Sequence, residues 1–231
     1  MIVVTFLLGF LAGWLVGWAA DVLPRFAAAP VLASRGAHPL GWPALVRLGL
    51  RPTASQRGQL ALRASVEVGC GAAFAALWHR YGLTGESAAY MVLVALLALI
   101  ALIDWNYRLI LNVVIYPAIA AGAAAHWLLV PDHALNILLG GVMAGAIFFL
   151  TAWLRPGQLG GGDVKLAVFI GVTFGFPGVL WALLLGTGSA GVLIAFWLAT
   201  KRAQLQTRIP YAPFLCLGAL LAVLISPPFV A

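Results

Sequence analysis

Apolar residues run along this chain in blocks of roughly 13 to 22, and the stretches between the blocks hold nearly all of its charge. The blocks lie at about 2–20, 64–79, 88–104, 110–130, 134–154, 163–175, 178–199 and 211–229. A helix of about 20 apolar residues crosses the hydrocarbon core of a bilayer, and shorter ones serve where helices are buried or tilted. The pattern therefore predicts an all-α, polytopic membrane protein with about eight transmembrane helices. Pro117 falls inside the fourth block, which a membrane helix tolerates when neighbours satisfy the freed carbonyl. Gly175-Phe176-Pro177-Gly178 separates the sixth block from the seventh. The first block has no basic residues before it and is long enough to span, so it reads as a retained first helix, not a secretory signal.

Composition excludes a soluble globular alternative: 64% of the 231 residues are hydrophobic, 8% are charged, and mean hydropathy is +1.06. A net charge of +7 would suggest nucleic acid, but the basic residues lie in connections between blocks, except for Lys165 near the start of the sixth. The long polar segment from Asp21 to Arg63 carries Arg25, Arg35, Arg47, Arg51, Arg57 and Arg63 against a single acid. By the positive-inside rule it is cytoplasmic, and alternation puts 12 of the 13 basic residues on that side, leaving only Arg80 outside. Both termini are then extracytoplasmic, and the arginines of the loop point to anionic lipid at the cytoplasmic leaflet, or else to assembly machinery, with no nucleic acid. Three regions follow: a first transmembrane helix at 1–20, a basic cytoplasmic loop at 21–63, and a membrane-embedded core at 64–231. Cys70 and Cys216 lie in apolar blocks without a CxxC spacing, and the four histidines are scattered, so no metal site is predicted.

Two acids carry the candidate chemistry. Asp104 closes the run from Met91 to Ile103, and Asp163 follows Gly160-Gly161-Gly162 at the start of another apolar block. Both are placed at the cytoplasmic face. Ionisable residues at span ends are costly enough to suggest function, and two facing carboxylates can share a proton while activating water. The glycines would permit positive φ and close approach of an extended peptide. A helix N-terminus at Asp163 favours its charged form, whereas the C-terminal position of Asp104 disfavours an anion and marks it as the proton holder, although such a pair titrates as a unit. Lys165 reads as a topological anchor snorkelling to headgroups. Glu67, one turn into the second block, either shapes the site or pairs with Arg63 at i,i+4. A proton-coupled transporter would place its acids near the midplane; a pair at one face favours proteolysis.

These residues resemble the type IV prepilin peptidase family of GxGD aspartyl proteases. Gly160-Gly161-Gly162-Asp163-Val164-Lys165-Leu166 and the later Gly171 are similar to its GxGDxKL stretch, and Asp104 resembles its first aspartate, with Asn112 at a downstream polar position. Ile209-Pro210-Tyr211-Ala212-Pro213-Phe214-Leu215 resembles the IPxxPFL signature, and Arg63 to Glu67 is similar to the opening of the family's second span. The resemblance covers about residue 63 to the end. It departs at Leu111, where the family usually has proline, and in the Asp21 to Arg63 segment, which lacks the cysteine pairs of many members.

The resemblance implies a GxGD aspartyl protease fold in the bacterial inner membrane, with Asp104 and Asp163 as the catalytic pair. Gly160, Gly161, Gly162, Lys165, Asn112, Glu67, Pro210 and Pro213 would bind substrate or shape the site. The implied substrates are prepilins or pseudopilins, cut at a basic leader on the cytoplasmic side. Proteolysis would need no cofactor; S-adenosylmethionine would enter only if this chain also methylates the new N-terminus. An inactive homologue acting in pilus or secretion assembly is the alternative within the same fold, and retention of both acids and the glycine run argues against it.

Overall fold

The computed structural model describes residues 1–27, 54–82, 84–131, 134–156, 159–200, 211–225 and 228. Among them are eight α-helices and no strand: α1 (Ile2–Ala27), α2 (Ala54–Tyr81), α3 (Gly85–Tyr107), α4 (Asn112–Leu129), α5 (Ala134–Leu154), α6 (Gly161–Phe174), α7 (Gly178–Ala199) and α8 (Ala212–Ile225). They follow the order of the apolar blocks. All but α6 and α8 are long and apolar enough to cross a bilayer, which makes the chain a multi-pass membrane protein. The two exceptions have 14 residues each, about 21 Å of helix against roughly 30 Å of hydrocarbon. Helix α1 runs on to Ala27 and α2 begins at Ala54, so both ends of the stretch read as a basic loop are helical. Residues 28–53 of that loop, and Pro210, lie outside the described residues.

The helices form two compact units, residues 1–99 and 100–231, with the boundary inside α3. In the first, α1 packs along α2 at a distance that leaves no room for side chains at the crossing. A Cβ added to Gly9 would lie 2.6 Å from the Cys70 carbonyl oxygen, and one added to Gly13 would lie 2.6 Å from Cα of Glu67. This is the small-xxx-small spacing by which membrane helices bring backbones together. Asp21 belongs to this helix pair, not to a loop. It forms an ion pair with Arg63, so Arg63 reaches across to α1 instead of pairing with Glu67 as the i,i+4 spacing suggested, though its charge still acts on Glu67. Thr84 and Ser87 open α3 with reciprocal caps, each backbone N–H donating to the other's hydroxyl at 3.1 Å.

The second unit is built around α6, which contacts α4, α5, α7 and α8. That explains why this short helix lacks a polar face: Leu166, Ala167, Phe169, Ile170, Thr173 and Phe174 are all buried, as expected of a helix surrounded by others. Gly140 of α5 and Gly171 of α6 abut, and a Cβ on either would overlap the other's carbonyl oxygen. At its far end α6 is tied to α4 by His126, whose buried Nδ1 lies 2.9 Å from the Thr173 carbonyl oxygen, the ring nitrogen donating. A Gly175 in the left-handed region (φ 62°) then ends the helix.

Candidate active site

Asp104 sits in the last turn of α3 and is only 7% exposed. The Arg108 N–H closes that turn on the Asp104 carbonyl at 2.7 Å, and Arg108 itself takes φ 53°, the left-handed geometry that ends helices. The chain then extends through Leu111 (φ −75°, ψ 128°) before α4 begins at Asn112. That φ is one proline also adopts, so leucine in place of the family's usual proline keeps the backbone of this turn.

The connection from Asp104 passes directly over the start of α6. Ile110 rests on Gly162, where an added Cβ would stand 3.0 Å from Cβ of Ile110. Gly162 thus lets the two aspartate-bearing segments touch. The glycine run does not take up the positive φ expected of it. Gly160 is extended (φ −81°), Gly161 and Gly162 are helical, and none of the three has positive φ. At Gly162 the value is the missing side chain, not the left-handed region, and the neighbour there is the protein's own chain. Gly161 has open space beside it. Asp163 caps its own helix, its Oδ2 accepting the Gly160 N–H at 3.0 Å.

A second helix N-terminus completes the site. The Tyr211 carbonyl accepts from Phe214 and Leu215 N–H at 3.1 and 3.3 Å, opening α8. Pro213 has no N–H to offer, and the Ala212 N–H donates to the Asp104 carboxylate. The unfavourable dipole at the end of α3 is therefore offset by the favourable end of α8, which revises the basis for naming Asp104 the proton holder. Asp163 acts electrostatically on Asp104 and on Tyr211. The Tyr211 ring packs against Phe148, centroids 6.1 Å apart, and the buried Cys216, one turn into α8, feels both carboxylates. Among the predicted residues, Pro213 lies in this first turn of α8. Reading the segment for its prolines overlooked Tyr211 and Ala212 between them, the two that face the acids.

Lys165 points to α4. Its Nζ donates to Oδ1 of Asn112 at 2.6 Å and lies 4.9 Å from the centre of the Tyr116 ring. Glu67 belongs to the first unit, on α2 beside Gly13. No group of three or more His, Cys, Asp or Glu able to hold a metal forms among the described residues. An apolar groove of about 780 Å³ runs between α4, α5 and α6, lined by residues such as Ala124, Gly141, Gly145 and Val168.

Comparison with known proteins bears on this site. Residues 91–225 match the type IV leader peptidase family. Curated relatives include a prepilin leader peptidase/N-methyltransferase of Bacillus subtilis (strain 168), 32% identical over 65% of this chain and 61% of the relative. Proteins of the same name from Pseudomonas putida and Pseudomonas aeruginosa are 25% and 28% identical, over 69% and 64% of this chain and 57% and 52% of theirs. The chain thus spans between about half and three fifths of the length of these relatives. No solved structure matches it. The family match takes in more than half of the sequence, from within α3 to the end of α8, and so contains every helix that builds the acidic pair; this chain belongs to the type IV leader peptidase family.

Proposed function

We propose that the protein is a membrane aspartyl endopeptidase that removes the basic leader from prepilins or pseudopilins at the cytoplasmic face of the bacterial inner membrane. The observation that carries this reading is the convergence of Asp104, in the last turn of α3 and facing the start of α8, with Asp163, in the first turn of α6, which acts electrostatically on it. In such a pair one carboxylate takes a proton from water as it attacks the scissile carbonyl, and the other donates a proton to the carbonyl oxygen. Collapse of the tetrahedral intermediate passes a proton to the leaving amine and restores the shared proton. The basic connections support a cytoplasmic site, since a positively charged leader that has not crossed the membrane meets the acids there.

Relatives carry N-methyltransferase in their names, which raises S-adenosylmethionine as a cofactor. The apolar groove between α4, α5 and α6 does not fit it: none of its lining side chains is polar or charged except for the indole of Trp127, so a cationic nucleoside would find no partners there.

Co-expression of the protein with a prepilin, followed by mass spectrometry of the mature N-terminus, tests the reading. The expected product begins at the residue after the basic leader and depends on both aspartates. Intact precursor with every prepilin tried would contradict it, and a product heavier by one methyl would assign the second activity.

A further inference from the structure

We infer that Lys165 and Asn112 act together as a positioning strut that fixes the spacing of the aspartyl pair, an inference that rests on the peptidase reading above. Asn112 is the first residue of α4 and ends the connection that leaves Asp104. Lys165 lies in the first turns of α6, two residues beyond Asp163. Their 2.6 Å hydrogen bond therefore ties together the two segments that carry the acids. It is charge-assisted and short, the stronger class of such contacts. A second contact joins the same segments where Ile110 sits on Gly162. Two attachments, one on each side of the turn, resist both separation and rotation of α6 against the start of α4.

The lysine is held more firmly than a headgroup anchor needs to be. Tyr116, one helical turn beyond Asn112, places its ring 4.9 Å from the ammonium, a cation–π distance, so neighbouring i,i+4 positions of α4 grip the side chain together. The contact is exposed, so water also reaches the ammonium, but a lysine that only snorkels to the headgroups needs no protein partner. Among the described residues Lys165 makes no ion pair with Asp163. An ammonium on that carboxylate would fix it as an anion; holding the cation on Asn112 leaves Asp163 able to trade a proton with Asp104.

The test uses the full chain in liposomes with a prepilin substrate, and compares Lys165→Met, Asn112→Leu, the double variant, Lys165→Arg and Asn112→Asp. Misplacement of reacting groups by about 1 Å costs up to about 100-fold, so each of the first two variants is expected to lose about ten- to a hundredfold in kcat with KM held within about twofold. The double variant should be no slower than the slower single one, and Lys165→Arg and Asn112→Asp should recover most of the rate. Multiplying losses in the double variant would overturn the strut. So would a raised KM at unchanged kcat, which makes Lys165 a substrate ligand, or a wild-type Asn112→Leu, which makes it an anchor. Asp163→Asn in the same assay separates failures: if it cleaves normally, the aspartyl pair proposed above falls, and the strut is judged by unfolding temperature alone. Equal losses in both single variants and no further loss in the double then support the contact; independent losses refute it.

Discussion

Gly162→Ala is the substitution that most sharply separates stability from catalysis here. Its added Cβ would stand 3.0 Å from Cβ of Ile110, with Cγ1 and Cδ1 of the same residue at 3.3 Å. Ordinary van der Waals contact begins at about 3.4 Å, so the Ile110 segment must retreat by a few tenths of an ångström. A new rotamer cannot relieve this, because the nearest atom is Cβ, fixed to the backbone. Overpacking of this kind costs about 1–3 kcal/mol, and replacing a helical glycine by alanine returns up to about 1 kcal/mol. Net destabilisation of about 2 kcal/mol or less leaves a folded protein. The displaced segment carries the connection from Asp104, so the cost falls on the dyad: cleavage should slow by up to about tenfold. Gly161→Ala is the matched control, with nothing within 4 Å of its Cβ, and should cleave at the wild-type rate. Purified variants would be compared by single-turnover cleavage in liposomes and by thermal unfolding in detergent. Wild-type cleavage by Gly162→Ala, or an equal loss in Gly161→Ala, would refute the claim that Gly162 sets the approach of the two segments.

Other substitutions probe other parts of the site. Ala212→Pro deletes the N–H that Asp104 accepts at the first position of α8, where proline is best tolerated; cleavage should fall at least tenfold relative to Ala212→Val, which adds bulk but keeps the donor. Leu111→Pro matches the local φ of −75° and should leave the cleavage rate within about twofold of wild type, with an unfolding temperature no more than slightly lowered by loss of leucine packing. Gly140→Val must drive the backbones of α5 and α6 apart at Gly171, and should abolish accumulation of folded protein in the membrane, read by detergent-resistant monodispersity. Arg63→Ala breaks the pair with Asp21 and should lower the unfolding temperature modestly, by an amount corresponding to about 1–3 kcal/mol at most, without changing cleavage.

The order of the helices was legible because apolar blocks in a membrane protein map directly onto helices. The ends of α1 and α2 were not, since a charged residue such as Asp21 or Arg63 looks like loop until a partner on the neighbouring helix is known. The two acids stood out as candidates from their rarity and their glycine context. What α8 contributes was harder to see, because its role is a backbone N–H at Ala212, and a backbone donor leaves no mark in side-chain chemistry. The prolines on either side were the available signal: they strip donors from their own positions and leave that of Ala212 in place. The glycine run was read for torsional freedom, whereas contact with Ile110 shows that absent volume at Gly162 is the requirement. Pairing of Lys165 with Asn112 was hidden for a similar reason, as residues 53 apart in sequence have no periodicity to connect them.

The central claim is that Asp104 and Asp163 work as one unit. Single-turnover cleavage of a prepilin by Asp104→Asn, Asp163→Asn and the double variant, at equal membrane levels, tests it most directly. Groups that act as a unit are non-additive, so all three variants should fall to one common floor. Retained cleavage in either single variant, or losses that multiply in the double, would contradict the account.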